Sequence, residues 1–411
     1  MYSLYLSIPF CRARCAYCDF NSYAGLEGLI PAYAEALARE IRWAGSTGQR
    51  SAHTIFFGGG TPSLVPLPEL TRVWAALREA FTLSVEAEMT LEANPGTVDG
   101  AYLAGVRSLG VNRLSLGVQS ANAAELARLG RIHTFDEAQE AVRLARAAEF
   151  ENINLDLIMG LPGQTLAVWQ ETLARVLELQ VEHLSCYILS VEEGTPLHAR
   201  VASGQWPEPD PDLAADMYEW TSETLAANGF EQYEISNWGR GQKQAASRPT
   251  VEVERPAALH PMADADFRNP AFACRHNLTY WRNESYLGFG AGAHGCVGGW
   301  RYSNVLTPQA YVERLEHGGA ADFPFSPALA EKVPVSQAET MDETLMLGLR
   351  LVREGVAAEP FGRRFGTSLE ERYGAVLDRL ARQGLVQWTG QRARLTRAGR
   401  LLGNVVFREF V

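Results

Sequence analysis

The sequence predicts an α/β protein: six parallel βα units in a curved sheet or incomplete TIM-like barrel, then a smaller, mainly helical, winged-helix-like C-terminal domain. Three observations carry this expectation. From Ser3 to about Leu189, short apolar runs alternate with amphipathic stretches, the signature of repeated βα units. Polar and glycine-rich residues gather where the apolar runs end, the place where βα loops carry chemistry without disturbing a packed core. After residue 190 the pattern breaks, and from about Met341 helical periodicity leads into a short hairpin and a last helix.

Taken in order, the expected strands are Ser3–Ile8, His53–Phe57, Glu88–Glu92, Arg113–Gly117, Asn152–Ile158 and His183–Leu189. The helical patterns between and after them are Ile30–Trp43, Pro68–Phe81, Ala101–Leu109, Ala121–Leu129, Phe135–Ala148 and Leu166–Leu179. A complete eight-unit barrel would need two further strands from the less regular region beyond residue 190. There, Pro211–Asn228 reads as a helix and Gln232–Ile235 as a short strand. Gly239 to about Pro270 is rich in Ala, Pro and Asp without a period, which predicts a long surface loop or insertion. Tyr286–Gly295 is dense in glycine. The final stretch reads as a helix over Val376–Gln383, a strand pair Leu385–Trp388 and Arg392–Leu395, and a helix from Thr396. These changes divide the chain into 1–235, a connecting region 236–335 containing the insertion, and 336–411.

Composition narrows the function classes. The 411 residues are 46% hydrophobic and 21% charged, which is globular rather than disordered or fibrous. A net charge of −11 argues against a general nucleic-acid binder, which needs a basic stripe to displace counterions, and a winged-helix-like module does not by itself imply DNA binding. No apolar run approaches the roughly 20 residues of a membrane span. The start lacks a basic n-region and a small-residue cleavage site, so a cytoplasmic location is expected.

Three of the six cysteines crowd into eight positions as Cys11-x-x-x-Cys15-x-x-Cys18, immediately after the first strand. In a chain without an export signal such crowding reads as metal or cluster ligation. Structural zinc normally closes with four ligands, and no fourth Cys or His lies nearby at finger spacing. A cubane iron–sulfur cluster held by three thiolates instead leaves one iron open to a non-protein ligand. The next three strands end in Gly58-Gly-Gly-Thr-Pro62, Glu92-Ala-Asn-Pro95 and Gln119, and the fifth closes on Asp156. Five consecutive strands with polar chemistry at one end predict a single composite site. Read singly, Arg131 also fits a helix-end cation and Asp156 a cap.

The cysteine triplet, with Tyr17 just before Cys18, resembles the signature of the radical S-adenosylmethionine (SAM) superfamily. Tyr5-Leu-Ser-Ile-Pro-Phe-Cys11 and Cys18-Asp-Phe20 are similar to the oxygen-independent coproporphyrinogen dehydrogenase group and to its relatives, the HemW-type haem chaperones. The resemblance covers most of the chain outside Gly239–Pro270. It implies a [4Fe–4S] cluster on Cys11, Cys15 and Cys18, with SAM contacted by Tyr5, Tyr17, Gly59, Gly60, Thr61, Glu92, Gln119, Arg131 and Asp156. Glycines at 59 and 60 suit close backbone approach, and Glu92 suits ribose hydroxyls as an acceptor.

Two departures separate the branches. The dehydrogenase branch carries a further cysteine where Phe20 stands, and a longer arm before the cluster than the ten residues here. The chaperone branch carries His-Asn-x-x-Tyr-Trp, present as His276-Asn-Leu-Thr-Tyr280-Trp281. The resemblance therefore implies a chaperone that binds haem and passes it to an acceptor protein. Coproporphyrinogen decarboxylation, or radical SAM chemistry on another substrate, are the alternatives. For haem, His276 and Cys274 are the candidate iron ligands, and Tyr280 and Trp281 offer flat aromatic surface. The bland alternative is that His276-Asn277 ties down a loop and Tyr280-Trp281 packs a core.

Overall fold

The computed structural model describes residues 1–48, 50–241, 267–319 and 322–411. Six strands appear where expected: β1 (Tyr2–Ile8), β2 (Arg50–Gly59), β3 (Phe81–Ala93), β4 (Arg113–Gln119), β5 (Ile153–Met159) and β6 (His183–Ile188). All five neighbouring pairs are parallel. The helices between them are α1 (Ile30–Ser46), α2 (Leu67–Ala80), α3 (Gly100–Leu109), α4 (Ala123–Leu129), α5 (Phe135–Ala147) and α6 (Leu166–Leu177). Local chemistry sets their ends. Helix α5 begins in a capping box, with Thr134 bonded to the Glu137 amide and Glu137 reaching back. Helix α4 begins at Ala123 rather than Ala121 because the Asn122 side chain accepts from the Ala124 and Glu125 amides and so occupies the N-cap.

The sequence reading missed a seventh parallel strand. Tyr286–Phe289, in the glycine-dense stretch, pairs parallel with β1. His294–Val297, Trp300–Asn304 and Leu329–Pro334 follow it as antiparallel neighbours. Gly288 makes this pairing possible, because a Cβ there would stand 2.0 Å from the His294 carbonyl oxygen. Glu40 of α1 anchors the same region from within. Its buried carboxylate accepts from Gly290 N at 2.8 Å, Asn304 Nδ2 at 2.8 Å, Tyr311 Oη at 2.6 Å and Ser326 Oγ at 2.5 Å.

By internal contacts the chain forms two compact units, 1–219 with 275–280 and 284–336, and 220–274 with 281–283 and 337–411. This division cuts across the three consecutive segments expected from the sequence, because the late strands return to the first sheet. In the second unit, Phe230–Glu234 and Asn237–Arg240 form an antiparallel hairpin. Gly239 and Arg240 are therefore strand residues, and the rest of the expected insertion lies largely outside the described residues. The helices Gln337–Gly348, Ala358–Phe365 and Leu369–Arg382 accompany a small antiparallel sheet of Val356–Ala357, which follows the first helix, Arg392–Leu395 and Val386–Trp388. Leu345, Leu349, Leu377, Leu380 and Val406 make its core, as the winged-helix-like expectation required.

Over much of their length strands β1–β6 are buried on both faces, yet the faces differ. Leu4, Leu6, Ile55, Leu91, Leu114, Leu116, Leu155 and Leu184 are fully buried on one side. Alternate positions carry Ser3, Thr54, Glu88, Thr90, Arg113, Ser115, Asn154, His183 and Ser185, also buried. Side chains alternate across a strand, so the second set shares the inner face. The interior of this partial barrel is polar.

Candidate functional site

At the carboxyl ends of the strands lies a cavity of about 350 Å³. Its walls include Cys11, Cys15, Tyr17, Cys18, Gly59, Gly60, Thr61, Glu92, Gln119, Arg131 and Asp156, so the structure brings together nearly all of the residues expected for cluster and SAM. Tyr5 stands just beneath: a Cβ on Gly59 would lie 3.5 Å from its hydroxyl.

The cysteine loop is pinned at both ends. Phe10–Cys11 pairs with Tyr23–Ala24, and Ala16 N donates to Leu129 O at 2.9 Å. Cys11 Sγ lies 3.5 Å from Thr61 Oγ1, and Arg131 Nη1 donates to Cys15 Sγ at 3.3 Å. Burial raises the Cys11 and Cys18 thiols above the ordinary value, so their thiolates need a positive partner. Among the described residues, no group of three or more His, Cys, Asp or Glu side chains converges on a single-ion site.

Gly60 sits against backbone: a Cβ there would stand 2.6 Å from Phe10 O and 2.9 Å from Ile8 O. Its amide donates to Ile8 O and that of Thr61 to Phe10 O, while Gly59 N donates to Glu92 Oε2 at 3.2 Å. The loop's N–H groups are thus already used.

Arg131 follows α4, but its guanidinium turns into the cavity instead of capping the helix. Nη2 donates to Asn94 Oδ1 at 2.5 Å and to Gly117 O at 2.6 Å, and its buried Nε has no hydrogen-bond partner among the described residues. Gly117 gives it room, since a Cβ there would meet Asn94 Oδ1 at 2.8 Å and Nη2 at 3.3 Å. Gln119 takes a left-handed φ of 70°, at a break in strand register. Asp156 is a mid-strand residue, not a cap. Its carboxylate accepts from Asn154 Nδ2 at 2.9 Å and Ser115 Oγ at 3.2 Å. Burial pushes Asp156 up, and Glu92 is raised to about 8 by burial and then by the Asp156 charge.

The haem candidates lie elsewhere. His276 and Tyr280, on the helix Arg275–Trp281, do not line the cavity. His276 is 1% exposed at the opposite end of the barrel interior, with Nδ1 2.8 Å from Thr54 Oγ1 and Nε2 2.9 Å from Tyr280 Oη. Its ring stacks on Phe56 at 5.0 Å, and burial lowers it to about 3. Both ring nitrogens are engaged, so neither offers iron a lone pair without losing a bond. In the second unit, buried Cys274 has its amide bonded to Tyr233 Oη at 3.2 Å, and Trp281 packs under the Arg350 guanidinium. These contacts match the packing alternative.

Sequence reading missed Asn154, Ser115 and His183 around the site. Their signal was present as strict polar–apolar alternation in strands too apolar on the other face to be exposed. It also missed a rim of exposed apolar side chains on the cavity walls: Phe20 (65% exposed), Ile132 (64%), Ile188 (45%) and Tyr187 (40%).

Comparison with known proteins agrees with this fold. Residues 5–176 match the radical SAM superfamily model, and residues 335–402 the HemN C-terminal domain. The solved coproporphyrinogen III oxidase (HemN) of Escherichia coli superposes with a TM-score of 0.79 at 21% identity, covering 100% of this chain and 89% of its own, a likeness of fold. The haem chaperone HemW of Bacillus subtilis (strain 168) is 35% identical over 100% of this chain and 99% of its own length. HemW of Escherichia coli (strain K12) is 38% identical over 72% of this chain and 70% of its own. A bovine mitochondrial protein, radical S-adenosyl methionine domain-containing protein 1, is 34% identical over 85% and 73%. The chain belongs to the radical SAM superfamily and, within it, to the family of the haem chaperone HemW. Among the described residues no helix is long and apolar enough to cross a membrane.

Proposed function

We propose that this protein is a haem chaperone of the HemW type that carries a [4Fe–4S] cluster and SAM, and that it passes haem to an acceptor protein. The observation that supports the cofactor half is the gathering of three cysteines, a glycine loop, two carboxylates and a guanidinium around one cavity. The donor set fits the groups. A three-thiolate cubane leaves one iron for the amino and carboxylate groups of the methionine moiety. The glycine loop, with its N–H groups spent, offers carbonyl oxygen to an ammonium. Arg131, with Nε unpaired, suits a carboxylate, and Glu92 and Asp156 suit hydroxyl or ammonium donors.

The haem half rests on the full-length likeness to proteins named haem chaperone HemW. The rim of Phe20, Ile132, Tyr187 and Ile188 gives the flat, apolar surface that a porphyrin face needs. Arg12, also on the cavity wall, suits a propionate. The engaged ring of His276 supports a positioning role for that residue rather than iron ligation.

Anaerobic reconstitution tests both halves. Wild-type protein should hold a full complement of iron and sulfide and give a stoichiometric Soret band with haemin, whereas Cys15→Ala should lose most of the iron and sulfide. A Cys15→Ala protein with undiminished cluster content would overturn the cluster assignment. Decarboxylated product from coproporphyrinogen and SAM, at useful turnover, would overturn the chaperone reading.

A further inference from the structure

Below Asp156, the polar interior holds an ordered chain of side chains that no cofactor contact requires. Asn154 lies two residues before Asp156 on the same face of β5, and His183 of β6 is its register partner. Both are buried. His183 Nδ1 is 2.5 Å from Asn154 Oδ1, which also accepts from Ser185 Oγ at 3.1 Å. Asn154 Nδ2 donates to Asp156 Oδ1 at 2.9 Å and to Ser115 Oγ at 2.8 Å, and Ser115 Oγ donates to Asp156 Oδ2 at 3.2 Å.

With Asp156 ionised, the donor directions in this chain follow. A carboxylate is acceptor-only, so the amide nitrogen of Asn154 must face Asp156 and its oxygen must face His183. An amide oxygen cannot donate, so His183 Nδ1 carries its proton. The result runs one way, from His183 through Asn154 to one carboxylate oxygen, with a branch through Ser115 to the other.

We propose that Asn154 and His183 are positioning residues, which fix Asp156 as an oriented, ionised acceptor facing the cavity and so select a ligand that presents an ammonium or hydroxyl there. This deepens the SAM reading above and rests on it. Without fixed donors a buried carboxyl holds its proton, and a protonated Asp156 would offer the ligand a competing donor. Glu92 from β3, Arg113 from β4, Cys186 from β6 and Tyr17 from the cysteine loop also act on Asp156. Burial is the largest influence and opposes its charge, while the side chains of Asn154, Ser185 and Ser115 and the Arg113 charge favour it. His183 itself stays neutral, held far below the ordinary imidazole value by burial.

The test measures SAM affinity of the reconstituted full-length protein by calorimetry from about pH 6 to about pH 9, spanning the range in which a raised carboxyl titrates. Asn154→Leu and His183→Leu should bind SAM roughly tenfold or more weakly near neutral pH and recover to within a few-fold at the alkaline end, as Asp156 ionises unaided. His183→Asn, whose amide nitrogen replaces Nδ1, should retain wild-type affinity and pH dependence. Cluster content and thermal unfolding are followed in parallel. If Asn154→Leu does not fold, Ser115→Ala removes only the branch and should show the same pH signature at smaller amplitude. A loss of equal size at every pH, or no loss, overturns the proposal. Asp156→Asn separates the levels: if it binds SAM like wild type, the SAM reading fails as well. If it binds weakly while the Asn154 and His183 variants bind normally, only the positioning role fails.

Discussion

Glu88 and Glu92 stand four residues apart on β3, on the same inner face of the partial barrel, and their fates differ. Glu88, at the amino end, accepts from the Arg275 amide at 3.0 Å and the His276 amide at 3.0 Å, and so holds the start of a helix. Glu92, at the cavity end, accepts one bond, from Gly59 N, and repulsion from Asp156 adds to burial in lifting it to about 8. The same contrast holds for their neighbours. His276, Thr54 and Tyr280 bond one another at the amino end, while Arg131 keeps an unpaired Nε at the cavity end. Buried polarity that the chain pairs internally is architecture, and buried polarity left over is capacity for a ligand.

The largest effect should come from the paired end. Glu88→Ala leaves two amides of the Arg275–Trp281 helix without their acceptor, at a cost of about 2–5 kcal/mol in unfolding free energy. SAM affinity of the folded protein should be unchanged. Chemical denaturation alongside calorimetry reads both, and a Glu88→Ala protein of normal stability with weakened SAM binding would reverse the contrast. His276→Ala should behave alike at roughly 2–4 kcal/mol, from a lost ring and two lost hydrogen bonds. Its haemin titration and Soret maximum should match wild type, whereas a shifted maximum would return iron ligation to His276.

At the leftover end, binding should suffer instead. Glu92→Ala should weaken SAM by roughly tenfold to a hundredfold, from loss of a charge-assisted bond worth about 1.5–3 kcal/mol, with the cluster intact. Its stability should change in the opposite sense to that of Glu88→Ala. The folded Glu92 carboxyl sits at about 8 against a reference of 4.5, so ionising it costs the folded state. The stability tied to its protonated form is complete below the unfolded value and is lost as pH rises toward about 8. Glu92→Gln should therefore match wild type near pH 4 and exceed it by on the order of 1–3 kcal/mol near pH 8. Equal stability at both pH values would mean that the carboxylate is paired after all.

The smallest effect belongs to the rim. Phe20→Ser removes one apolar side chain from the cavity mouth, and haemin affinity should fall roughly three- to tenfold, from about 1 kcal/mol of apolar contact. Unchanged affinity would move the porphyrin away from this surface.

The six βα units were legible because their signals are local. Apolar alternation marks each strand, and residues such as Thr134 and Glu137 mark helix starts within one turn. The cysteine loop was legible for the same reason, since three ligands within eight positions need only a loop to meet. The strand Tyr286–Phe289 was not. It has four residues, Gly288 within it and Gly290 just after it are needed for close packing, and its partner β1 lies some 280 positions earlier. The polar inner face lay halfway between: its alternation is written in the chain, but only burial on both sides shows that it is an interior and not a solvated surface.

Fold class, the order of the units and which strand ends carry chemistry were written in the residues, because periodicity, capping and ligand spacing act over a few positions. Tertiary structure alone decided which of two chemically identical glutamates on one strand became a strut and which a binding group. The amides that occupy Glu88 come from residues 187 and 188 positions away. Pairing and desolvation depend on where the chain returns, and no pattern within β3 distinguishes a carboxylate that will find a partner from one that will not.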